Sequence, residues 1–370
     1  MNVTPIRRVL VPGVALLAMF ATAACGADNE DGGSDGGNAD STGLSGTLAG
    51  AGATSQEKAQ EAWYTAVQGQ NEGNLEITYN AIGSTDGRSQ FVAGAVSFAG
   101  SDSYMSDDEG ELTAAVERCG GEDIIEVPAY VSSIAIAFNV PGVDTLNLTA
   151  DVIAQIFDGK ITKWNDAAIA DLNADADLPD TDITPVHRSD DSGTTKNFTD
   201  YLGKVAPDAW PYEAEDAFPV SGGEGAEGTS GVVELITSTE GAIGYADASQ
   251  TGDLSAVSVA VGDSFVAPSP EAAAATVAVS EPVADRAETD MAVDVNRTTD
   301  DPSAYPVILL SYIIACQHYE DAAEEANVKG YLSYIVSEEG QAESADYAGS
   351  APLTDETAAR AQEIVAGIGG

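Results

Sequence analysis

An arginine, Arg188, stands directly before Ser189-Asp190-Asp191-Ser192-Gly193-Thr194-Thr195, and together these residues have the makings of an anion site. Ile183-Thr184-Pro185-Val186 leads in as a short extended run, and Phe198, Tyr201, Leu202 and Val205 follow at the spacing of one helix face. Ser192-Gly193-Thr194 therefore falls where a strand hands over to a helix. Free backbone N–H groups, side-chain hydroxyls and the positive end of the helix dipole converge at such a point. That combination suits an oxyanion, and Arg188 adds a planar charged fork. Taken alone, the same residues describe an ordinary N-cap.

They are not alone. Gly50-Ala51-Gly52-Ala53-Thr54-Ser55 precedes Ala59, Ala62/Trp63 and Ala66/Val67, again at helical spacing. Leu75, Ile77, Tyr79 and Ala81 alternate with polar residues as in a strand. They run into Ile82-Gly83-Ser84-Thr85-Asp86-Gly87-Arg88 and a short helix through Phe91 and Val92. Three Gly/Ser/Thr-rich helix starts in one chain suggest a shared anion.

The elements that must position these loops read as alternating strands and helices. Ser133–Val140 is a strand stopped by Pro141-Gly142; Val152, Ile153, Ile156 and Phe157 mark a helix with Gly159 as its stop. Gly241–Tyr245 is a short buried strand. Val307–Ala315 is almost unbroken apolar, the pattern of a central strand covered on both faces. Tyr331, Leu332, Tyr334 and Ile335 open a later helix. No fixed-period repeat is present. The stretch from about residue 46 to 368 exceeds one typical core and fits two α/β domains.

The N-terminus concerns location. Arg7 and Arg8 precede an apolar run from Val9 to Ala24 and then Cys25. This reads as a signal peptide over residues 1–24 rather than a membrane span. Thr22-Ala23-Ala24-Cys25 resembles a bacterial lipobox, which makes Cys25 the lipidated residue and the membrane anchor; plain signal cleavage is the alternative. Residues 25–45 are nearly all small and polar and read as a flexible tether.

The chain carries 61 acidic against 14 basic residues, a formal charge of −47. Removing residues 1–24 takes away two arginines and no acid. Such a charge excludes a general nucleic-acid binder. It also means that any anion must be held by local dipoles and an arginine inside a closed site, where screening is weak. With Cys25 assigned to lipid, Cys119 and Cys316 remain, either bridged in an exported chain or as two buried thiols. The two histidines, His187 and His318, offer no His-rich metal site. His187 pairs with no Ser and carboxylate as a catalytic base.

The chain resembles the PstS family, the phosphate-binding lipoproteins of bacterial phosphate ABC transporters, from about residue 46 onward. The resemblance rests on blocks in order: Gly50–Thr54; Gly83-Ser84; Ala99-Gly100-Ser101-Asp102; Phe138–Gly142; Ile156–Asp166; Arg188, Asp190 and Ser192-Gly193-Thr194; and Gly241–Tyr245. It implies an α/β, two-lobed periplasmic-binding-protein fold (type II), with a ligand cleft between lobes and a two-segment hinge near Ala129–Ser132 and Ser303–Pro306. Lobe I would comprise residues 46–131 plus 305–370, and lobe II residues 132–304. Both Cys119 and Cys316 would fall in lobe I.

The implied ligands are the Thr54 hydroxyl, the Ser55 N–H, the Ser84 hydroxyl and N–H, and Asp102 as acceptor of a hydrogen bond from phosphate. Arg188, oriented by Asp190, and Ser192, Gly193 and Thr194 complete the set. The implied function is extracytoplasmic phosphate capture and delivery to an ABC permease, with no cofactor and no enzymatic activity. Alternatives are a site for another tetrahedral oxyanion such as sulfate, or a secreted phosphatase, which would need a nucleophile and base or metals. The chain departs from the family pattern in places. Ser55-Gln56 stands where an aromatic–proline pair is common. Asp86 and Asp191 stand where small residues are common, and Asp86 would compete with an anion for N–H groups unless Arg88 relieves it.

Overall fold

The computed structural model describes residues 43–107 and 110–370. The expected signal peptide, Cys25 and the tether as far as residue 42 lie outside the described residues. Leu44, expected in the tether, is instead buried. Its side chain fills the space left by Gly330, where a Cβ would come within 2.4 Å of it, and its N–H donates to Asn71 Oδ1 at 3.2 Å. A single apolar side chain with a fitted pocket thus fixes backbone that composition alone reads as loose.

The first half is a βαβαβ run. Strand β1 (Gly46–Gly52) leads through a short 3-10 turn, Thr54–Gln56, into helix α1 (Glu57–Gln70). Ala59, Ala62, Trp63 and Val67 form its buried face. Strand β2 (Leu75–Ala81) buries Leu75 and Ile77 and sends Glu76 and Thr78 to solvent. Helix α2 (Ser84–Val92) and strand β3 (Phe98–Ser101) follow. β1 pairs in parallel with both β2 and β3, so their carboxyl ends share one edge.

Strand β4 (Ile125–Asn139) then carries the sheet onward. It is longer than the Ser133–Val140 strand expected from sequence, and it runs straight through the expected crossing at Ala129–Ser132. Pro128 argues against a strand there. It is tolerated because the register against the final strand shifts at this point, from Ser311↔Tyr130 to Tyr312↔Pro128, which leaves Ala129 as a bulge.

In the second half, strand β5 (Thr184–Arg188) leads to helix α3 (Gly193–Val205), and strand β6 (Glu224–Ala226) to helix α4 (Gly228–Ser238). Strand β7 (Ala242–Asp247) pairs in parallel with β5 and antiparallel with β4. Helix Ala150–Phe157 is capped by Thr149, and Gly159 just beyond it has φ +69°. The last strand, β8 (Ile308–Ala315), is buried throughout and lies antiparallel between β3 and β4. The path across the sheet is β2-β1-β3-β8-β4-β7-β5-β6. Cys119 and Cys316 form a disulfide between the end of helix Glu111–Arg118 and the end of β8, with Cα atoms 5.3 Å apart. Among the described residues no helix is long and apolar enough to cross a membrane.

Candidate functional site

Each half ends its parallel strands at the same crevice, the usual place for a ligand in an open α/β sheet. From the second half, β5 delivers Arg188 as its last residue, only 3% exposed. Its Nε donates to Asp190 Oδ1 at 2.7 Å, and its Nη2 donates to the other carboxylate oxygen. The N–H of Gly228, the first residue of α4, donates to Asp190 Oδ1 at 3.1 Å. Burial pushes the Asp190 carboxyl up, but the hydrogen bonds and charge of Arg188 outweigh it and the net shift is downward. The fork is thereby held by a fixed anion, and Nη1 has no acceptor among the described residues. His187 stacks on Phe218 with ring centroids 4.3 Å apart, a packing role.

Ser192 is the N-cap of α3. Its Oγ accepts from Thr194 N at 3.2 Å and Thr195 N at 3.4 Å, and its own N–H donates to Asp216 O at 2.9 Å. The ordinary capping role is therefore real, and what Ser192 retains for a ligand is its hydroxyl hydrogen. Gly193 is required for closeness: a Cβ there would lie 2.8 Å from both Asp102 Cβ and Ser84 Oγ.

From the first half, Asp102 follows β3 and is 3% exposed. Its carboxylate accepts three hydroxyls: Ser55 Oγ at 2.6 Å, Ser311 Oγ at 2.7 Å and Thr194 Oγ1 at 2.9 Å. Its N–H donates to Ser84 Oγ at 3.1 Å. Burial raises the Asp102 pKa, opposed by those hydroxyls and then by Arg188. Thr54 Oγ1 lies 2.8 Å from Thr229 Oγ1 and accepts the Thr229 N–H at 3.2 Å. The expected residues Thr54, Ser55, Ser84, Asp102, Arg188, Ser192, Gly193 and Thr194 are thus brought to one crevice from both halves.

Asp86 and Asp191 are exposed and turned to solvent. Arg88 does not serve Asp86: it is 4% exposed and donates to Glu111, Ser101, Ser103 and Asp216. The sequence reading missed Thr229, although Gly228-Thr229-Ser230 before Val232, Val233 and Ile236 repeats the signal seen at Ser192. It also missed Ser311, a lone hydroxyl inside the apolar run of β8, and Asp216, which lies in irregular chain and had no local signal.

Chemically, the crevice offers hydroxyls, helix-start N–H groups and one arginine, faced by one buried carboxylate. It can hold a small anion that both accepts hydrogen bonds and donates one. Among the described residues no cluster of His, Cys, Asp and Glu could hold a metal ion.

A family model described as a PBP superfamily domain matches residues 37–339. The chain is 35% identical over 352 residues to the phosphate-binding protein PstS2 of Mycobacterium bovis, spanning 92% of this chain and 93% of that protein. It is 33% identical over 373 residues to the phosphate-binding protein PstS 3 of Mycobacterium tuberculosis, spanning 96% and 97%. Among solved structures it is similar to a high-affinity periplasmic phosphate-binding protein bound with phosphate, at TM-score 0.69 and 23% identity over 86% of this chain and 93% of that one. It is also similar to a phosphate ABC transporter substrate-binding protein from Clostridium perfringens with bound phosphate, described as putative, at TM-score 0.58 and 23% identity over 82% and 98%.

Proposed function

Because this chain belongs to the PBP superfamily and, within it, to the PstS phosphate-binding proteins, we propose that it captures inorganic phosphate outside the cytoplasm and hands it to an ABC permease. The observation that carries this is the pairing of Arg188 and the Ser192 helix start with the buried acceptor Asp102 across one crevice. Thr54, Ser55, Ser84, Ser192, Gly193 and Thr194 supply hydroxyls and N–H groups, and Asp190 orients the arginine. Phosphate keeps at least one proton near neutral pH and with it donates a hydrogen bond to Asp102; sulfate keeps none, and two anions would then face each other in a closed site. This disfavours the sulfate alternative. Against the phosphatase alternative, His187 is stacked on Phe218 and, among the described residues, activates no serine as its base. The protein works as a binder rather than an enzyme.

Lobe I comprises residues 46–131 plus 305–370 and lobe II residues 132–304, closing about the crossings at Ala129–Ser132 and Ser303–Pro306. The bulge at Ala129 supports a pivot in β4. Cys25 carries a lipid that holds the protein at the membrane. Cys25→Ala should move it from the membrane fraction to the medium, and unchanged retention would remove the lipid from this account.

The function is tested on purified protein. Denaturation should release phosphate, and calorimetry should show tight phosphate binding with sulfate far weaker. In Asp102→Asn the gap between the two anions should shrink by orders of magnitude, as when a polar group's required partner is changed. Absence of phosphate binding by the stripped wild-type protein would overturn the reading.

A further inference from the structure

Asp102 is met from behind by a chain of buried polar side chains that all point one way. Tyr331 OH donates to Gln60 Oε1 at 2.7 Å. Gln60 Nε2 donates to Gln56 Oε1 at 2.9 Å. Gln56 Nε2 donates to Ser311 Oγ at 2.6 Å and to Tyr312 O at 3.0 Å. Ser311 Oγ donates to Asp102 Oδ1. Gln56, Gln60, Ser311 and Tyr331 are all 0% exposed. Gly100 leaves the room: a Cβ there would lie 2.6 Å from Gln56 Oε1.

The direction is forced by chemistry. An amide NH2 group only donates, so Ser311 Oγ must accept from Gln56. Its one hydrogen then goes to the carboxylate. A protonated Asp102 would have to find an acceptor among Ser55, Ser311 and Thr194, each already aiming a hydrogen at it, so one of them would have to turn.

We propose that Tyr331, Gln60, Gln56 and Ser311 form a one-directional hydrogen-bond relay that holds Asp102 as an ionised, acceptor-only carboxylate, and so sets the preference for a proton-bearing tetrahedral anion over one without protons. The proposal rests on the phosphate-binding reading. Chained hydrogen bonds polarise one another in a low-dielectric interior, and a donor to a charged group is worth more than one to a neutral group. Other charged and titratable groups also face Asp102. Arg188 from β5 favours its ionised form. Asp247 at the end of β7 and Tyr79 of β2 are neighbours whose own pKa values Asp102 pushes up. On the far side, Lys196, Asp200, Lys204, Asp294 and Arg297, with Tyr104 and Tyr312, border a cavity of about 160 Å³ that Asp102 also lines. None of these donates a hydrogen bond to its carboxylate among the described residues.

The experiment is a pair of calorimetric titrations, inorganic phosphate and sulfate, on wild type and Gln56→Glu from about pH 5 to 8, a span centred near neutrality. Gln56→Glu keeps the shape but offers Ser311 an acceptor, so the hydroxyl turns away from Asp102. Sulfate should then bind about tenfold or more tightly than to wild type, the scale of losing one donor to a charge, with its onset moved to higher pH. Phosphate affinity should change far less. Ser311→Ala, which deletes the last donor in a small side chain, carries the same expectation if Gln56→Glu does not fold. Folded variants that bind phosphate with a wild-type sulfate-to-phosphate ratio and pH profile would overturn the relay, and so would an equal loss of both anions. Failure of wild type to bind phosphate would instead overturn the functional reading beneath it.

Discussion

Of the buried arginines near the crevice, Arg88 and Arg188 have different surroundings. Arg88, 4% exposed, meets two carboxylates, Glu111 at 2.7 Å and Asp216 at 2.8 Å, and two serine hydroxyls at 2.9 Å. Every nitrogen of its fork is engaged. Arg188, 3% exposed, meets one carboxylate, Asp190, and leaves Nη1 without an acceptor among the described residues. Burial alone therefore does not mark a binding arginine; unspent donors beside a helix start do. Arg88 fastens α2, whose first residue is Ser84, to the segment carrying Asp216. Arg188 faces the crevice itself.

Truncation should separate the two. Arg88→Ala removes the shared partner of two partly exposed carboxylates and the packing of a buried side chain, and should cost up to about 3 kcal/mol of folding stability, below the full scale for breaking a fully buried pair. Arg188→Ala should cost about 2–5 kcal/mol of phosphate binding, with the smaller stability loss of the two. Denaturant unfolding and calorimetry on both variants check this. If Arg88→Ala were the variant that lost binding at unchanged stability, the assignment of roles would be reversed.

The Arg88 side can be probed more gently through Asp216. Asp216 accepts from Arg88 and from Thr85 Oγ1 at 2.8 Å, while its backbone carbonyl accepts from Ser192 at the start of α3. It thus ties helix starts of both halves together. Asp216→Asn keeps the shape and weakens the tie. Phosphate should dissociate about tenfold faster with little change in association rate, since affinity differences fall mostly on dissociation. Stopped-flow traces with an unchanged dissociation rate would show that the tie does not hold the closed crevice.

A buried carboxyl without an arginine partner, Asp247, sharpens the contrast through pH. It accepts from Tyr130 OH at 3.1 Å and Ser249 N at 2.8 Å, and burial, the largest influence, raises its pKa to about 6. Its protonated form is the one the fold favours. Its contribution is therefore complete below the ordinary carboxyl range and is lost as pH rises through about 6, amounting to about 3 kcal/mol at most. Asp216 has the opposite sign. Burial pushes its pKa up, but Arg88 more than offsets that, so its contribution is present at neutral pH and lost as pH falls. Asp247→Asn should flatten the decline in urea stability between about pH 4 and 6. An identical slope in wild type and variant would mean that Asp247 does not titrate there.

Much of the crevice was legible because its parts are local. A strand, a Gly/Ser/Thr loop and a helical apolar face lie within some twenty residues of chain, so Thr54, Ser84 and the Arg188–Thr194 run announce themselves by spacing and residue type. Thr229 carried the same signal and could have been found by the same rule. Asp102 became a candidate only through the family resemblance, since an acid in a serine-rich turn is ordinarily solvated.

Other features exist only once the sheet is assembled. β8 lies far in sequence from β3 and β4; its antiparallel pairing with β3 puts Ser311 against Asp102, and its pairing with β4 lets β4 run through Pro128 at a register shift. Arg88 was read as a helper for Asp86 because the two are neighbours in the chain, whereas tertiary packing gave it Asp216, 128 residues away, and left Asp86 in solvent. Backbone conformation and capping are settled by a residue and its near neighbours, and these the sequence by itself determined. The partner of a buried charge or hydroxyl was decided by whatever distant atoms the tertiary fold brings within about 3 Å of it.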